Sequence, residues 1–412
     1  MAVTAADPSR VLTAVWRIES ARIVAGLARL VRDVGLAEEL AQDALVIALE
    51  QWPVTGVPDQ PGAWLMATAK HRAVDLLRRQ SRYRQKLDEV GRAQPQVEDT
   101  DLAAAVDDYV GDDVLRLMFT TCHPVLSTES RVALTLRLLG GLTTDEIARA
   151  YLVPEATVGQ RITRAKRTLA DRKVPIELPP PAEAAERLAS VLEVIYLIFN
   201  EGYSATAGED WVRPALCTEA LRLGRVLATL APREPEVHGL VALMELQASR
   251  IPARTAPDGS PILLQDQDRR RWDRLLIRRG LAALDRADGA LGPYVLQASI
   301  AACHARAATA GATDWTRIAA LYEVLAHVSP SPVVELNRAV AVANAHGAER
   351  GLAIVDAVDL PDYPLVPAVR GELLSRLGRN GEARTEFQRA AAMTRNARQR
   401  ELFAARAAAL GG

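Results

Sequence analysis

Thr157, Gln160, Arg161 and Arg164 fall on one stripe if the chain around them is helical. Amide, hydroxyl and guanidinium groups in such a row hydrogen-bond base edges and phosphates, so the chemistry on offer is non-covalent recognition of nucleic acid. Lys166, Arg167, Arg172 and Lys173 follow as phosphate contacts. A second polar cluster, Asp266-Gln267-Asp268-Arg269 with Trp272, brings two carboxylates together, as acid–base catalysis or metal binding would need. No nucleophile, glycine-rich phosphate loop or further ligand set accompanies it, and Arg269 or Arg270 is at hand to pair with the carboxylates. Asp266, Asp268, Arg269 and Trp272 are therefore expected to make a structural or regulatory contact. Cys122-His123-Pro124 contains two metal-ligand types, but no second Cys or His pair lies at a ligand spacing, and a structural turn fits better. The expectation is a protein that is not an enzyme and uses neither metal nor cofactor.

The elements that would position these residues are helical. The 412 residues are 49% hydrophobic and 25% charged with only 4% aromatics, and Ala, Leu and Arg, all good helix formers, abound. An all-α chain of two or three domains is expected. The net charge of −1 excludes nothing, because a neutral protein can still carry one basic face. Three distant cysteines suit free thiols in a reducing cytoplasm. No apolar run approaches the ~20 residues of a membrane span, and Met1 to Arg10 lacks the pattern of a signal peptide.

Around the polar stripe the signals agree on a helix-turn-helix from Thr143 to Leu169. Ser127 can cap a helix through Val132, Leu136 and Leu139 that ends at Gly140-Gly141. Thr143 with Glu146 three residues on is a capping-box signature, and Ile147, Ala148 and Tyr151 then face inward. Leu152-Val153-Pro154 makes the turn, with Pro154 at or near the first position of the next helix. Val158, Ile162, Ala165 and Leu169 form that helix's buried stripe, which leaves the Thr157 to Arg164 stripe outward.

Upstream, Ala37 to Trp52 is an amphipathic helix with Leu40, Ala44, Ile47 and Ala48 inward and Glu39, Gln42, Asp43 and Glu50 outward. After a Pro- and Gly-rich loop, Ala63 to Gln80 has Leu65, Ala69, Ala73 and Leu76 as core, and a basic outer face. This pair resembles region 2 of the sigma-70 family, in its extracytoplasmic-function class, and the helix-turn-helix resembles region 4. The resemblance covers about the first 175 residues. It implies that Glu38, Glu39, Gln42 and Asp43 dock on the clamp helices of the largest subunit of core RNA polymerase, with region 4 near its flap. Trp64, Lys70, His71, Arg72, Arg78 and Arg79 would open and hold the −10 element of promoter DNA. Thr157, Gln160, Arg161, Arg164, Lys166 and Arg167 would bind the −35 element.

The expected domains are region 2 at 8–84, an acidic linker at 85–113, region 4 at 114–173 and, after a proline-rich break at Val174 to Pro181, a helical C-terminal domain at 182–412. In that last part Leu373 to Ala390, with Gly378, Ala383, Phe387 and Ala390, matches a tetratricopeptide helix pair, and Ala345 to Val355 matches it more weakly. Together with Ile195 to Tyr203 and Asp258 to Trp272 it resembles the tetratricopeptide-like extension carried by one subgroup of these factors. Such repeats form a curved surface that takes a protein partner, so this half is the natural candidate for control.

Overall fold

A computed structural model describes residues 8–90, 110–287 and 289–411. Among them no strand forms; two isolated bridges, Gly208 with Asn396 and Thr255 with Pro261, are the only extended pairings. The helices divide into two units, Met1–Val194 and Ile195–Gly412.

The first unit begins with α1 (Pro8–Val31), α2 (Val34–Thr55) and α3 (Pro61–Val90), which pack on one another through Ile23, Leu27, Trp52 and Leu65. Asp33 caps α2 by accepting from the Leu36 amide at 2.8 Å, so the chain reverses tightly between α1 and α2. Then come α4 (Val110–Thr121), α5 (Thr128–Leu138), α6 (Thr144–Tyr151) and α7 (Glu155–Asp171). Between Arg172 and Glu183 the proline-rich stretch is non-helical.

The next helix, α8 (Ala184–Tyr203), crosses the unit boundary, which therefore lies later than the proline break. The reason is local. Arg187 donates to the Phe119 carbonyl at 2.9 Å, Ser190 donates to the Cys122 carbonyl at 2.6 Å, and Arg131 donates to Ser190 at 2.6 Å. The start of α8 is thus bound to the α4–α5 corner. The acidic linker is also shorter than expected, because α3 runs to Val90 and α4 starts at Val110. Asp113 is buried in α4 between Arg116 at 2.9 Å and Arg29 at 3.5 Å. Glu98, Asp99, Asp101, Asp107 and Asp108 lie outside the described residues.

The second unit continues with α9 (Pro214–Leu230), α10 (Pro235–Ala248), α11 (Arg274–Arg286), α12 (Pro293–Arg306), α13 (Trp315–Val328), α14 (Pro332–His346), α15 (Ala348–Asp356), α16 (Leu365–Arg376), α17 (Asn380–Met393) and α18 (Ala397–Ala409). Four of these open on proline, whose missing amide costs nothing at a first helical position. From α12 onward each helix packs on the next, as in a helical-repeat array. The two repeat-like segments are the pairs α14–α15 and α16–α17. In the first, a Cβ on Gly351 would lie 2.5 Å from the Ala343 Cβ, so only glycine allows the helices to cross there. In the second, Ala383, Phe387 and Ala390 are buried against α16 and α18. The array is fastened near its end by Asn396, which donates to the Ala205 carbonyl at 3.1 Å and the Asp210 carbonyl at 2.9 Å.

Candidate nucleic-acid and polymerase interface

The helix-turn-helix is built by α6 and α7. Both capping-box bonds form: the Glu146 amide donates to Thr143 Oγ1 at 3.1 Å, and the Thr143 amide donates to Glu146 Oε2 at 2.9 Å. Burial pulls the Glu146 pKa up, but the Thr143 amide and Arg17 outweigh it and hold the carboxyl below its usual range. Leu152 caps α6 at φ 50°, a left-handed conformation that turns the chain at once into Pro154, the N-cap of α7. Val158, Ile162, Ala165 and Leu169 are all buried. With those four fixed inward, Gln160, Arg164 and Arg167 are exposed, and Thr157 and Arg161 are half-buried at the edge of the same face.

Lys166 does not join them. It turns toward α2, where its ammonium group meets Glu38 Oε2. Glu38 is only 5% exposed, and its other oxygen accepts from Arg137 Nε at 2.6 Å and Gln42 Nε2 at 2.7 Å. The reason is register. Ala37, Leu40, Ala41 and Ala44 are buried, and Glu38 lies beside that stripe rather than opposite it. A residue expected to dock on polymerase is therefore paired to one expected to contact DNA, and both belong to the same compact unit. Further bonds join these two parts: Arg17 to Glu146 at 2.7 Å, and Arg29 to Asp113. At Gly141, φ 66°, an added Cβ would lie 2.7 Å from Ser20 Oγ, so α1 passes directly against the loop before α6.

The remaining docking candidates stay nearer the surface. Glu39 is exposed, and Gln42 is half-buried. Asp43 accepts from Arg72 on α3 at 2.6 and 2.9 Å, so a carboxylate expected to dock on polymerase and a cation expected at the −10 element also neutralise one another. On α3, His71, Arg78 and Arg79 are exposed and Lys70 is half-buried. Trp64 packs edge-on against the buried Trp52, with centroids 5.6 Å apart, so one face of the indole serves the core rather than an open stacking platform.

The Asp266 to Trp272 cluster is dismantled into local roles. Asp268 caps a short turn and is chelated by Arg270, whose hydrogen bonds hold that carboxyl below its usual pKa. Arg269 is buried and donates to the carbonyls of His304 and Ala307, both at 2.7 Å, and to Thr313 at 3.1 Å, above the buried Trp272 ring at 4.8 Å. Asp266 is exposed. The two carboxylates do not converge on a common point; Arg269 anchors its loop to the end of α12. Cys122 is buried against Thr121 and Thr135, and His123 Nδ1 accepts from the Val125 amide at 3.1 Å, a turn in the corner before α5.

Sequence reading missed Arg137, Arg17 and Arg29. Each sits on an amphipathic helix where an arginine reads as a solvated outer residue, and nothing local marks it as a bridge to a segment about a hundred residues away.

Known proteins place this architecture. The model for sigma-70 region 2 matches residues 18–83, that for sigma-70 region 4 matches residues 116–169, and a family of unknown function (DUF6596) matches residues 187–288. The uncharacterized protein R00370 of Rhizobium meliloti (strain 1021) is 46% identical over 376 residues, 90% of this chain and 89% of that protein. The ECF RNA polymerase sigma factor SigK of Mycobacterium ulcerans is 31% identical over 156 residues, 36% of this chain and 78% of that factor. Yeast Tom70, a solved structure, aligns with 98% of this chain and 84% of its own at 11% identity and a TM-score of 0.32. No helix of the described residues is long and apolar enough to cross a membrane. With both sigma regions matched in order and a relative such as SigK spanned over most of its length, the chain belongs to the extracytoplasmic-function sigma factors of RNA polymerase.

Proposed function

We propose that this sigma factor binds core RNA polymerase through the outer face of α2, with Glu39, Gln42 and Asp43 facing the clamp helices of the largest subunit and region 4 facing the flap. Gln160, Arg161 and Arg164 read the −35 element, with Thr157 and Arg167 at its backbone. The α3 face of His71, Arg72, Arg78 and Arg79, with Lys70 and Trp64, holds the opened −10 element. The protein does no covalent chemistry of its own and works in the cytoplasm. Its C-terminal array exerts control on promoter recognition.

The observation that carries this reading is the two-faced α7: a fully buried apolar stripe fixes an exposed row of Gln160, Arg164 and Arg167. Glu38 and Lys166 take part only after parting from one another, because each occupies the other here. The paired arrangement is thus a closed state, and holoenzyme formation opens it.

The test is transcription by purified core polymerase with the full chain added. Promoter-dependent initiation is expected, and core that never gains it sinks the proposal. A plain DNA-binding regulator would instead bind promoter DNA without conferring initiation on core.

A further inference from the structure

A cavity of about 470 Å³ lies inside the C-terminal array, in the size range of small-molecule sites. Its floor is apolar, with Leu373, Phe387 and Phe403 all nearly inaccessible and Trp315 and Val340 on the walls. Glu372 and Arg376 on α16 and Arg406 on α18 line it together. Arg406 lies over the Phe387 ring at 5.3 Å and gives one terminal nitrogen to Glu372 at 2.5 Å, leaving Nε and the other terminal nitrogen free to donate. Arg376, exposed at the rim, makes only long bonds of 3.3 Å to Asn344 and the Ala343 carbonyl.

The charge balance of this pocket is positive. Arg269, Arg376 and Arg406 stand against the single carboxylate of Glu372. His304 adds no charge, since burial, with Arg250 and Arg269 nearby, pulls its pKa down to about 3. His304 is nine-tenths buried, and its Nδ1 has no partner within the protein. Both sides of the cavity are fastened in advance. Arg269 pins the loop that supplies Leu263 and Leu264, and Asn396 pins the start of α18.

We infer that this cavity is a binding site for a small amphipathic anion, a carboxylate or similar group on an apolar body. The apolar body lies against the half-buried Trp315, Val340 and Leu402, and the anionic group meets Arg406 and Arg376. A compact, largely apolar cavity with a few cations does not suit a nucleic-acid strand, which needs cations spaced along a track. A neutral ligand would leave the excess positive charge unanswered. The site stands whether or not its occupancy alters transcription.

The experiment uses the full chain and two probes, decanoate and 4-phenylbutyrate, each compared with its neutral amide. Titration calorimetry and the emission of Trp315, with Trp315→Phe as blank, report binding. Saturable one-site binding of at least one acid is expected, with its amide about tenfold weaker or more. Arg406→Gln and the rim variant Arg376→Gln should each weaken the acid while leaving the amide unchanged. Val340→Phe, growing from a half-buried wall residue into the space, should abolish both. Thermal melts identify any variant that fails to fold, and Arg376→Gln, exposed at the rim, keeps the charge test valid in that case. The inference is overturned if neither acid binds at millimolar concentration, if the amides bind equally, or if Arg376→Gln changes nothing.

Discussion

Arg137→Ala tests the closed state from the side that touches neither polymerase nor DNA in the proposed reading. In the native arrangement Arg137 donates Nε to Glu38 at 2.6 Å and a terminal nitrogen to the Leu142 carbonyl at 3.1 Å. A hydrogen bond to a charged group contributes about 1.5–3 kcal/mol. Two facts reduce that here. Lys166 still faces Glu38, and the Arg137 side chain, at 22% exposed, has part of its charge in water already. About 1–2 kcal/mol remains, a five- to thirtyfold shift toward the open state. Labels at Gln51→Cys and Ala170→Cys, both exposed sites, would report the separation of α2 and α7 by energy transfer in the full chain. Native Cys122, Cys217 and Cys303 do not compete, because all are buried and burial raises each thiol pKa. The expected result is a larger separated population and an affinity for core raised by the same factor. Unchanged separation, or weaker core binding from an intact fold, would refute the reasoning. A double-mutant cycle with Glu38→Gln should return a coupling of similar size.

Three further outcomes follow from the geometry. Arg161→Ala and Arg164→Ala should each cost about 1–3 kcal/mol of promoter affinity with altered preference at one position of the −35 element, whereas an equal loss over all sequences marks a phosphate contact. Thr143→Ala removes the acceptor of the Glu146 amide and should lower the local stability of α6 by about 1 kcal/mol, read as faster hydrogen exchange at that amide. His304 titrates near 3 in the fold and near 6.5 when unfolded, so the unfolded chain takes up the proton first as pH falls. The C-terminal unit should hold this stability above pH 6.5 and lose it progressively toward pH 3, at about 1.4 kcal/mol per unit at most. An unchanged slope of melting temperature against pH in His304→Gln would remove that assignment.

The local physics of this chain was legible in its residues, and its long-range electrostatics were not. The capping box at Thr143 and Glu146, the buried stripe of α7 and the α16–α17 pair are short-range patterns, set by helix period and end chemistry, and each forms as its spacing predicts. Glu38 reads from its neighbours as one more outward carboxylate on an amphipathic helix. What buries it is Arg137 and Lys166, contributed by helices that periodicity cannot pair with α2. The same limit hid the cavity, whose Arg376 and Arg406 lie on different helices with no shared motif. In the Asp266 cluster the pairing of Asp268 with Arg270 is a short-range contact that adjacency suggests, whereas the anchoring of Arg269 on the His304 and Ala307 carbonyls depends on a helix far along the chain.

The pairing of Glu38 with Lys166 has a thermodynamic consequence for promoter recognition. If core takes only the open state and Lys166 contacts DNA only from it, each partner has opened the protein on behalf of the other. Affinities for core and promoter are then coupled, and by linkage the coupling is equal in both directions. Its upper limit is the free energy that holds the closed state, and the share of that limit supplied by Arg137, about 1–2 kcal/mol, corresponds to a five- to thirtyfold tightening of core binding by promoter DNA through this route. In Arg137→Ala part of that opening has already occurred, and the enhancement by DNA should shrink by the factor through which core affinity alone has grown. Core affinity measured with and without promoter DNA, in wild type and Arg137→Ala, gives both numbers. Enhancement by DNA that is identical in the two proteins would show that Glu38 and Lys166 do not transmit binding energy between polymerase and promoter, whatever their contact does for the free protein.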